Sequence, residues 1–353
     1  MRILHLINHC GKANGHVNVS VDMACTQAAN GHNVGYMSSG GDYIGLLQSY
    51  GVEIFIAPQP HRSLKAFWSA AAAIYRGVRT FRPDVIHVHM AAQIVMAQPL
   101  RLLGYKVVST IHNEFDRSVW LMGLASRVVA VSKAGCDAML KRGFSKNALR
   151  VVVNGTIGSP RLAETFQAAE LLHPAIVTVC GLHHRKGVAD LITAFRFVSD
   201  AVPAAHLYIL GEGPSQAEYE NLVFALGLSN TVHFLGYHAD PREYLFPADI
   251  FVLASHADPG PLVIAEARNA GCAIVATNVD GIPEMLDCGA AGLLVEPRQP
   301  AQLSRAILQL LENKDELTCY SDRARKNSER FTIGRVCREM DRVYAEITTV
   351  PVR

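Results

Sequence analysis

At 353 residues, half of them apolar and 18% charged, the chain can bury two cores of ordinary domain size and is not globally disordered. Its formal net charge of +2 argues against nucleic acid as a partner, which calls for a concentrated basic surface. The eight cysteines show no Cys-x-x-Cys spacing and fall mostly in apolar patterns, so they read as reduced core residues of a cytosolic protein.

The chain opens directly on a predicted strand, Arg2 to Ile7, followed by a polar, Gly-bearing loop in place of a cleavable signal. Later apolar stretches are broken by charge, Gly or Pro before the roughly 20 residues that span a bilayer, so the expected location is cytoplasmic. Further strands are predicted at His32–Ser38, Val52–Ala57, Val85–His89, Lys106–Ile111 and Val128–Val131, most separated by helical patterns. Asn154 to Pro160 breaks this rhythm, and the chain to about Pro174 reads as a linker. The second half repeats the style with strands at Ile176–Val179, His206–Leu210, Val232–Leu235, Ile250–Leu253 and Ala273–Thr277. The fold class is therefore α/β, two Rossmann-like doubly wound domains over 1–165 and 166–330. A terminal helix in 331–353 is marked by Val336, Met340, Val343 and Ile347.

In the first half, the loop from Gly11 to Gly15 is a candidate backbone contact for a phosphate or an acceptor, with His16 either facing the ligand or lying on the surface. The order Gly-x-Gly-x-x-Gly is absent, so this is not a dinucleotide fingerprint. His61 to Arg79 reads as an amphipathic helix with Leu64, Phe67, Trp68, Ala71, Ile74, Tyr75 and Val78 on one broad face and Arg62, Lys65, Arg76 and Arg79 at its edge. That face either packs on the sheet, the reading favoured by the fold, or rests on anionic lipid. On the strand Val85–His89, His87 and His89 are expected on opposite sides, His89 toward ligand and His87 structural. His112 stands just past a buried strand, where such sheets open onto ligand. Ser132 and Asn154–Gly155 read as architectural.

In the second half, Asp249 to Ala254 reads as a buried strand and Leu262 to Ala270 as a helix, joined by Ser255-His-Ala-Asp-Pro-Gly-Pro261. Pro261 presets the backbone, Gly260 permits close approach, and the free N–H groups of Leu262 and Val263 can hold a phosphate. Asp258 and Glu266 would flank it, one taking hydroxyls of a sugar and the other those of a ribose; the plainer alternative is a cap and a solvated carboxylate. Lys186, opening the helix Val188–Val198, can reach a polyphosphate, with Arg185 beside it. Gly211 and Gly213 permit a close turn.

These motifs resemble the retaining glycosyltransferases of family 4, also called glycosyl transferases group 1. The resemblance is carried by Asp258, Glu266, Ala267, Gly271, Ala273-Ile-Val-Ala-Thr277, Gly281-Ile-Pro-Glu284 and Gly211-Glu-Gly-Pro214. It implies the GT-B arrangement, two Rossmann-like domains facing across a cleft, with the terminal helix crossing back onto the amino-terminal domain. It implies sugar transfer with retention from a nucleoside diphosphate sugar, a UDP-sugar by preference, to a saccharide or lipid-linked acceptor, without a divalent metal or other cofactor. By this resemblance His112 takes the C6 hydroxyl of the donor sugar, Lys186 neutralises the departing diphosphate, Asp258 reads a sugar hydroxyl near C3 and Glu266 binds the ribose. The loop from Gly236 to Pro241 would border the base, with Tyr237 stacking on it. One departure stands out: the family's phosphate-binding arginine falls on Gly181. That loss, and Asp258 in place of the commoner glutamate, keep a non-catalytic nucleotide-sugar-binding subunit open as the alternative.

Overall fold

The computed structural model describes residues 1–12, 14–58 and 64–348, and its contacts divide it into two units, Met1–Arg161 with Phe331–Arg353, and Leu162–Arg330. In the first unit the described residues form a seven-stranded parallel sheet of β1 (Arg2–Leu6), β2 (Asn33–Ser38), β3 (Glu53–Ile56), β4 (Val85–Val88), β5 (Lys106–Ile111), β6 (Arg127–Ala130) and β7 (Leu149–Val151), ordered β3-β2-β1-β4-β5-β6-β7. Helices α1 (Gly15–Ala29), α2 (Ile44–Ser49), α3 (Leu64–Phe81), α4 (Ala91–Leu102) and α5 (Lys133–Lys141) connect the strands. Side chains alternate across the sheet. Leu4, Leu6, Ile86, Val88, Val107 and Ile111 build an apolar core on one face. His5, Tyr36, His87 and Thr110 are buried on the other, beneath α1 and the terminal helix Ile333–Ala345. That helix starts on Thr332, whose hydroxyl accepts from Arg335 N at 3.4 Å, and it buries Val336, Met340, Val343 and Tyr344. Ile347 lies beyond its end and is half-buried.

Helix α3 corrects one expectation. Its buried side is Ala70, Ile74, Gly77, Val78 and Phe81, while Trp68 is 67% exposed and Tyr75 41%. Gly77 explains the rotation: a Cβ there would stand 2.2 Å from Met37 Cε, so the helix is pressed against β2 along its glycine. Arg62 and the side chain of Leu64 lie outside the described residues.

The second unit carries a six-stranded parallel sheet of β8 (Ala175–Val179), β9 (His206–Leu210), β10 (Val232–Gly236), β11 (Ile250–Leu253), β12 (Ala273–Thr277) and β13 (Leu293–Val295), ordered β10-β9-β8-β11-β12-β13. Its helices include α6 (Val188–Ala201), α7 (Gln216–Ala225), α8 (Arg242–Leu245), α9 (Leu262–Ala270), α10 (Ile282–Met285), α11 (Pro300–Glu312) and α12 (Lys314–Arg325). The boundary falls at Arg161 for a physical reason. The Arg161 guanidinium donates to both oxygens of buried Asp22 at 2.8 and 3.0 Å, tying it to the first unit, whereas Arg242 Nη2 donates to Ala163 O at 2.6 Å within the second.

In both sheets the strand order reverses once, between β1 and β4 and between β8 and β11. Chain connections leave such a point in opposite directions, which opens a crevice beyond the carboxyl ends of the two strands.

Candidate active site

In the second unit the reversal joins the loop after β8 to the loop after β11. Gly187 makes the approach possible: it sits at φ +66°, and a Cβ there would lie 1.9 Å from Ala254 O. His256 N donates to Arg185 O at 2.8 Å, and the Arg185 guanidinium donates to Ala257 O. This zipper sets Lys186 Nζ 2.5 Å from Asp258 Oδ2, with side chains only 17% and 8% exposed. The loop after β12 closes the third side, where Asp258 N donates to Asp280 Oδ2 at 2.7 Å. Burial and the neighbouring Asp258 raise the Asp280 carboxyl above the usual range, against the bond from Asp258 N.

Helix α9 starts directly behind this pair. Pro261 is extended at its entry and no side chain caps it, so the first-turn amides of Leu262 and Val263 form a positive helix end. Glu266 lies one turn further on and is half-buried. Gly260 joins these elements to Asp258.

The loop after β9 lies across the first: Leu182 N donates to Glu212 O at 2.9 Å, and Cβ atoms at Gly211 and Gly213 would stand 2.0 Å from Cys180 O and 2.4 Å from Leu182 O. These two glycines are thus required by loop packing. At Gly181 the nearest atom to an added Cβ is His183 Cδ2 at 3.2 Å, so no backbone approach demands glycine where the family pattern has arginine. Arg185 is turned onto the Asp258 loop backbone. Tyr237 is half-buried, and its backbone N–H donates to Glu212 Oε1 at 3.3 Å. Glu212 was not singled out in the sequence, yet it occupies an amide of the loop expected to border a base.

The first unit holds the remaining candidates. Gly15 begins α1 with no side-chain cap, and a Cβ there would meet nothing within 4 Å. His112 is half-buried, and its Nε2 lies 3.0 Å from His89 Nδ1. Burial and His16 push His112 down to about 3, and burial with His9 pushes His16 down to about 4, so both are neutral at physiological pH.

The strand histidines correct a further expectation. Residues two apart share a face of a strand, and the His87 and His89 rings stand together, 4.2 Å between centroids. Both are buried, so His89 is covered rather than open to ligand. With His5 they form a cluster whose ligand atoms all lie within 4.8 Å of one another, a grouping the sequence did not suggest. Ser132 caps α5 by accepting from Gly135 N at 3.1 Å, and Gly155 lets Phe331 O approach, so both positions are architectural.

Comparison with known proteins matches residues 13–156 to Glycosyltransferase Family 4 and residues 166–327 to Glycosyl transferases group 1. The chain is 24% identical to an uncharacterized glycosyltransferase of Haemophilus influenzae, covering 96% of this chain and 98% of that one. It is 30% identical to the glycogen synthase of Mycobacterium tuberculosis, covering 72% of this chain and 66% of the relative. Among solved structures, Anabaena Alr3699/HepE in complex with UDP-glucose superposes with a TM-score of 0.83 at 19% identity, covering 98% of this chain and all of that one. Two parallel Rossmann-like domains, together with these family matches, define a glycosyltransferase of the GT-B class. Within that class the matches run from residue 13 to 327 with a short gap, and the chain belongs to the family 4, group 1 glycosyltransferases.

Proposed function

We propose that this glycosyltransferase uses a UDP-sugar as donor and transfers the sugar, with retention, to a saccharide or lipid-linked saccharide. The observation that carries this reading is the Lys186–Asp258 pair at 2.5 Å, set against the uncapped start of α9. An ammonium group and oriented amides converge where a diphosphate would gather charge as the glycosidic bond breaks, and both stabilise that charge more in the transition state than before it. Asp258, next to the ammonium, reads a sugar hydroxyl; Glu266, one turn along α9, binds the ribose; His112 meets the C6 hydroxyl. The UDP preference draws on the Anabaena structures, which hold UDP and UDP-glucose. A saccharide acceptor draws on the glycogen synthase relative.

In this proposal Lys186 and the helix start supply the positive charge that a divalent cation supplies in other transferases, so no metal is needed. Thermal shift against a set of nucleoside diphosphate sugars, followed by turnover with and without EDTA, tests both points. A UDP-sugar should raise the midpoint, and EDTA should leave turnover unchanged. Stabilisation by another nucleotide series alone, or loss of turnover in EDTA, refutes the corresponding part.

A second observation supports peripheral contact with an anionic membrane at the cytoplasmic face. Trp68 and Tyr75 project from α3 beside exposed Lys65, Arg76 and Arg79, the pairing of amphipathic aromatics and cations that suits a headgroup layer. No helix among the described residues is long and apolar enough to cross a membrane.

A further inference from the structure

On one face of the first sheet, three histidines join in an unbroken run of hydrogen bonds. His5 Nε2 lies 2.9 Å from Gln27 Oε1, His5 Nδ1 lies 3.1 Å from His89 Nε2, and His89 Nδ1 lies 3.0 Å from His112 Nε2. A neutral imidazole donates from one nitrogen and accepts at the other. With the Gln27 carbonyl as acceptor, His5 carries its proton on Nε2 and its Nδ1 accepts from His89 Nε2–H. His89 Nδ1 then accepts from His112 Nε2–H, so the proton order reaches His112 and leaves its Nδ1 with a lone pair.

A second branch holds Gln27 in this orientation. Its Nε2 faces the Tyr344 hydroxyl at 3.5 Å, that hydroxyl donates to His87 Nδ1 at 2.8 Å, and His87 Nε2 donates to Thr110 Oγ1 at 2.7 Å. Both branches assign each ring one donor and one acceptor. Burial holds His5 down to about 4 and His87 and His89 well below the usual imidazole range, so the run stays uncharged at neutral pH. The His112 ring thus hydrogen-bonds through Nε2, donating to His89 Nδ1 at 3.0 Å.

We propose that Gln27, His5 and His89 are positioning residues that fix His112 as its Nε2–H tautomer, presenting Nδ1 as an acceptor that selects a donor sugar with a hydroxyl, and not a carboxylate, at the contacted carbon. The specificity half rests on the reading of His112 as the C6 contact. A lone pair takes a hydrogen bond from a hydroxyl and repels a carboxylate, whereas an N–H at the same point would favour the carboxylate.

The test combines nitrogen spectroscopy of isotope-labelled histidine with binding of UDP, a UDP-hexose and the matching UDP-hexuronate. In the native protein His112 should show a bare Nδ1 and a protonated Nε2. His5→Leu removes the acceptor for His89 and should let His112 sample both tautomers. It should weaken UDP-hexose binding about twofold, because a ring shared between two tautomers presents the acceptor about half the time, narrow the preference over UDP-hexuronate, and leave UDP unchanged. His5→Asn, whose oxygen can stand near the Nδ1 position, should restore the native pattern and also serves if His5→Leu does not fold. A protonated Nδ1 on His112 in the native protein overturns the proposal, as does a His112 spectrum unaltered by His5→Leu. So does zinc uptake that replaces the neutral signals of His5, His87 and His89, since the cluster would then be a metal centre. If the tautomer is as expected but the native protein binds no UDP-sugar, the donor reading fails and the positioning run stands.

Discussion

Lys186 and Asp258 neutralise each other at 2.5 Å in a largely buried setting, so each residue fixes what the other can do. Lys186→Ala removes a charge whose value grows as the diphosphate departs, and kcat/KM should fall by about 2 to 4 kcal/mol of transition-state stabilisation. Wild-type turnover in that variant would remove Lys186 from the reaction. Asp258→Asn should weaken binding of the sugar-bearing donor more than binding of UDP, measured side by side by calorimetry; equal losses would mean that Asp258 acts through the nucleotide or the fold. Because the two groups touch, the double variant should lose less than the sum of the single losses. Their partnership spans 72 positions and was not legible in the sequence, which gave each group a separate ligand. The histidine run was hidden for another reason. His87 and His89, two residues apart on one strand, share a face of the sheet, contrary to the expectation of opposite faces, and Gln27 and Tyr344 carry no motif at all.

At the scale of elements, parallel strands buried on both faces leave short continuous apolar runs, and that is why 11 of the 13 strands among the described residues are legible as such runs in the sequence. The other two, Leu149–Val151 and Leu293–Val295, are three-residue edge strands, too short to leave a period. Rotation of a helix is less legible than its existence: the apolar arc of α3 is wider than the face it buries, and Gly77 decides which part of it meets the sheet. Arg268 shows the same limit. It reads as a polar position on α9, yet it is fully buried and donates to Ala324 O, Met285 O and Lys326 O as well as to Asp287. Gly187 joins two loops in the way Gly77 joins a helix to its sheet. Gly187→Ala places a Cβ against Ala254 O at a left-handed backbone position, so it should cost about 2 to 4 kcal/mol of stability. The same shift separates Lys186 from Asp258, so donor affinity should drop even in molecules that remain folded. Urea unfolding together with donor titration checks both; an unchanged midpoint would show that the loop relaxes freely.

Over the whole molecule, the buried histidines make stability depend on pH. The folded protein keeps His5 and His16 neutral down to about 4 and His112 to about 3, whereas the unfolded chain protonates them near 6.5. Below 6.5 the unfolded state binds more protons, so stability is fully present above that value and is lost as the pH falls toward 4. His5 alone should remove about 2 kcal/mol between pH 6.5 and 5, at 1.36 kcal/mol per unit. Denaturant midpoints at pH 7 and pH 5 check the sign, and an equal midpoint would show that these rings are solvated. Membrane contact is likewise a property of the whole surface. Pelleting with anionic vesicles should weaken with added salt and with Trp68→Ser, and no pelleting at low salt would remove that reading.

The return of the terminal helix to the first unit has a consequence for biosynthesis. A ribosome delivers residues 162–330 before the segment from Phe331 that covers His5, His87 and Gln27. The second unit can therefore complete its contacts without that segment, while the first holds a sheet face of histidine, tyrosine and glutamine uncovered until the segment arrives. A released chain truncated before Phe331 should be protease-resistant across the second unit and cleavable in the first, although the first is synthesised earlier.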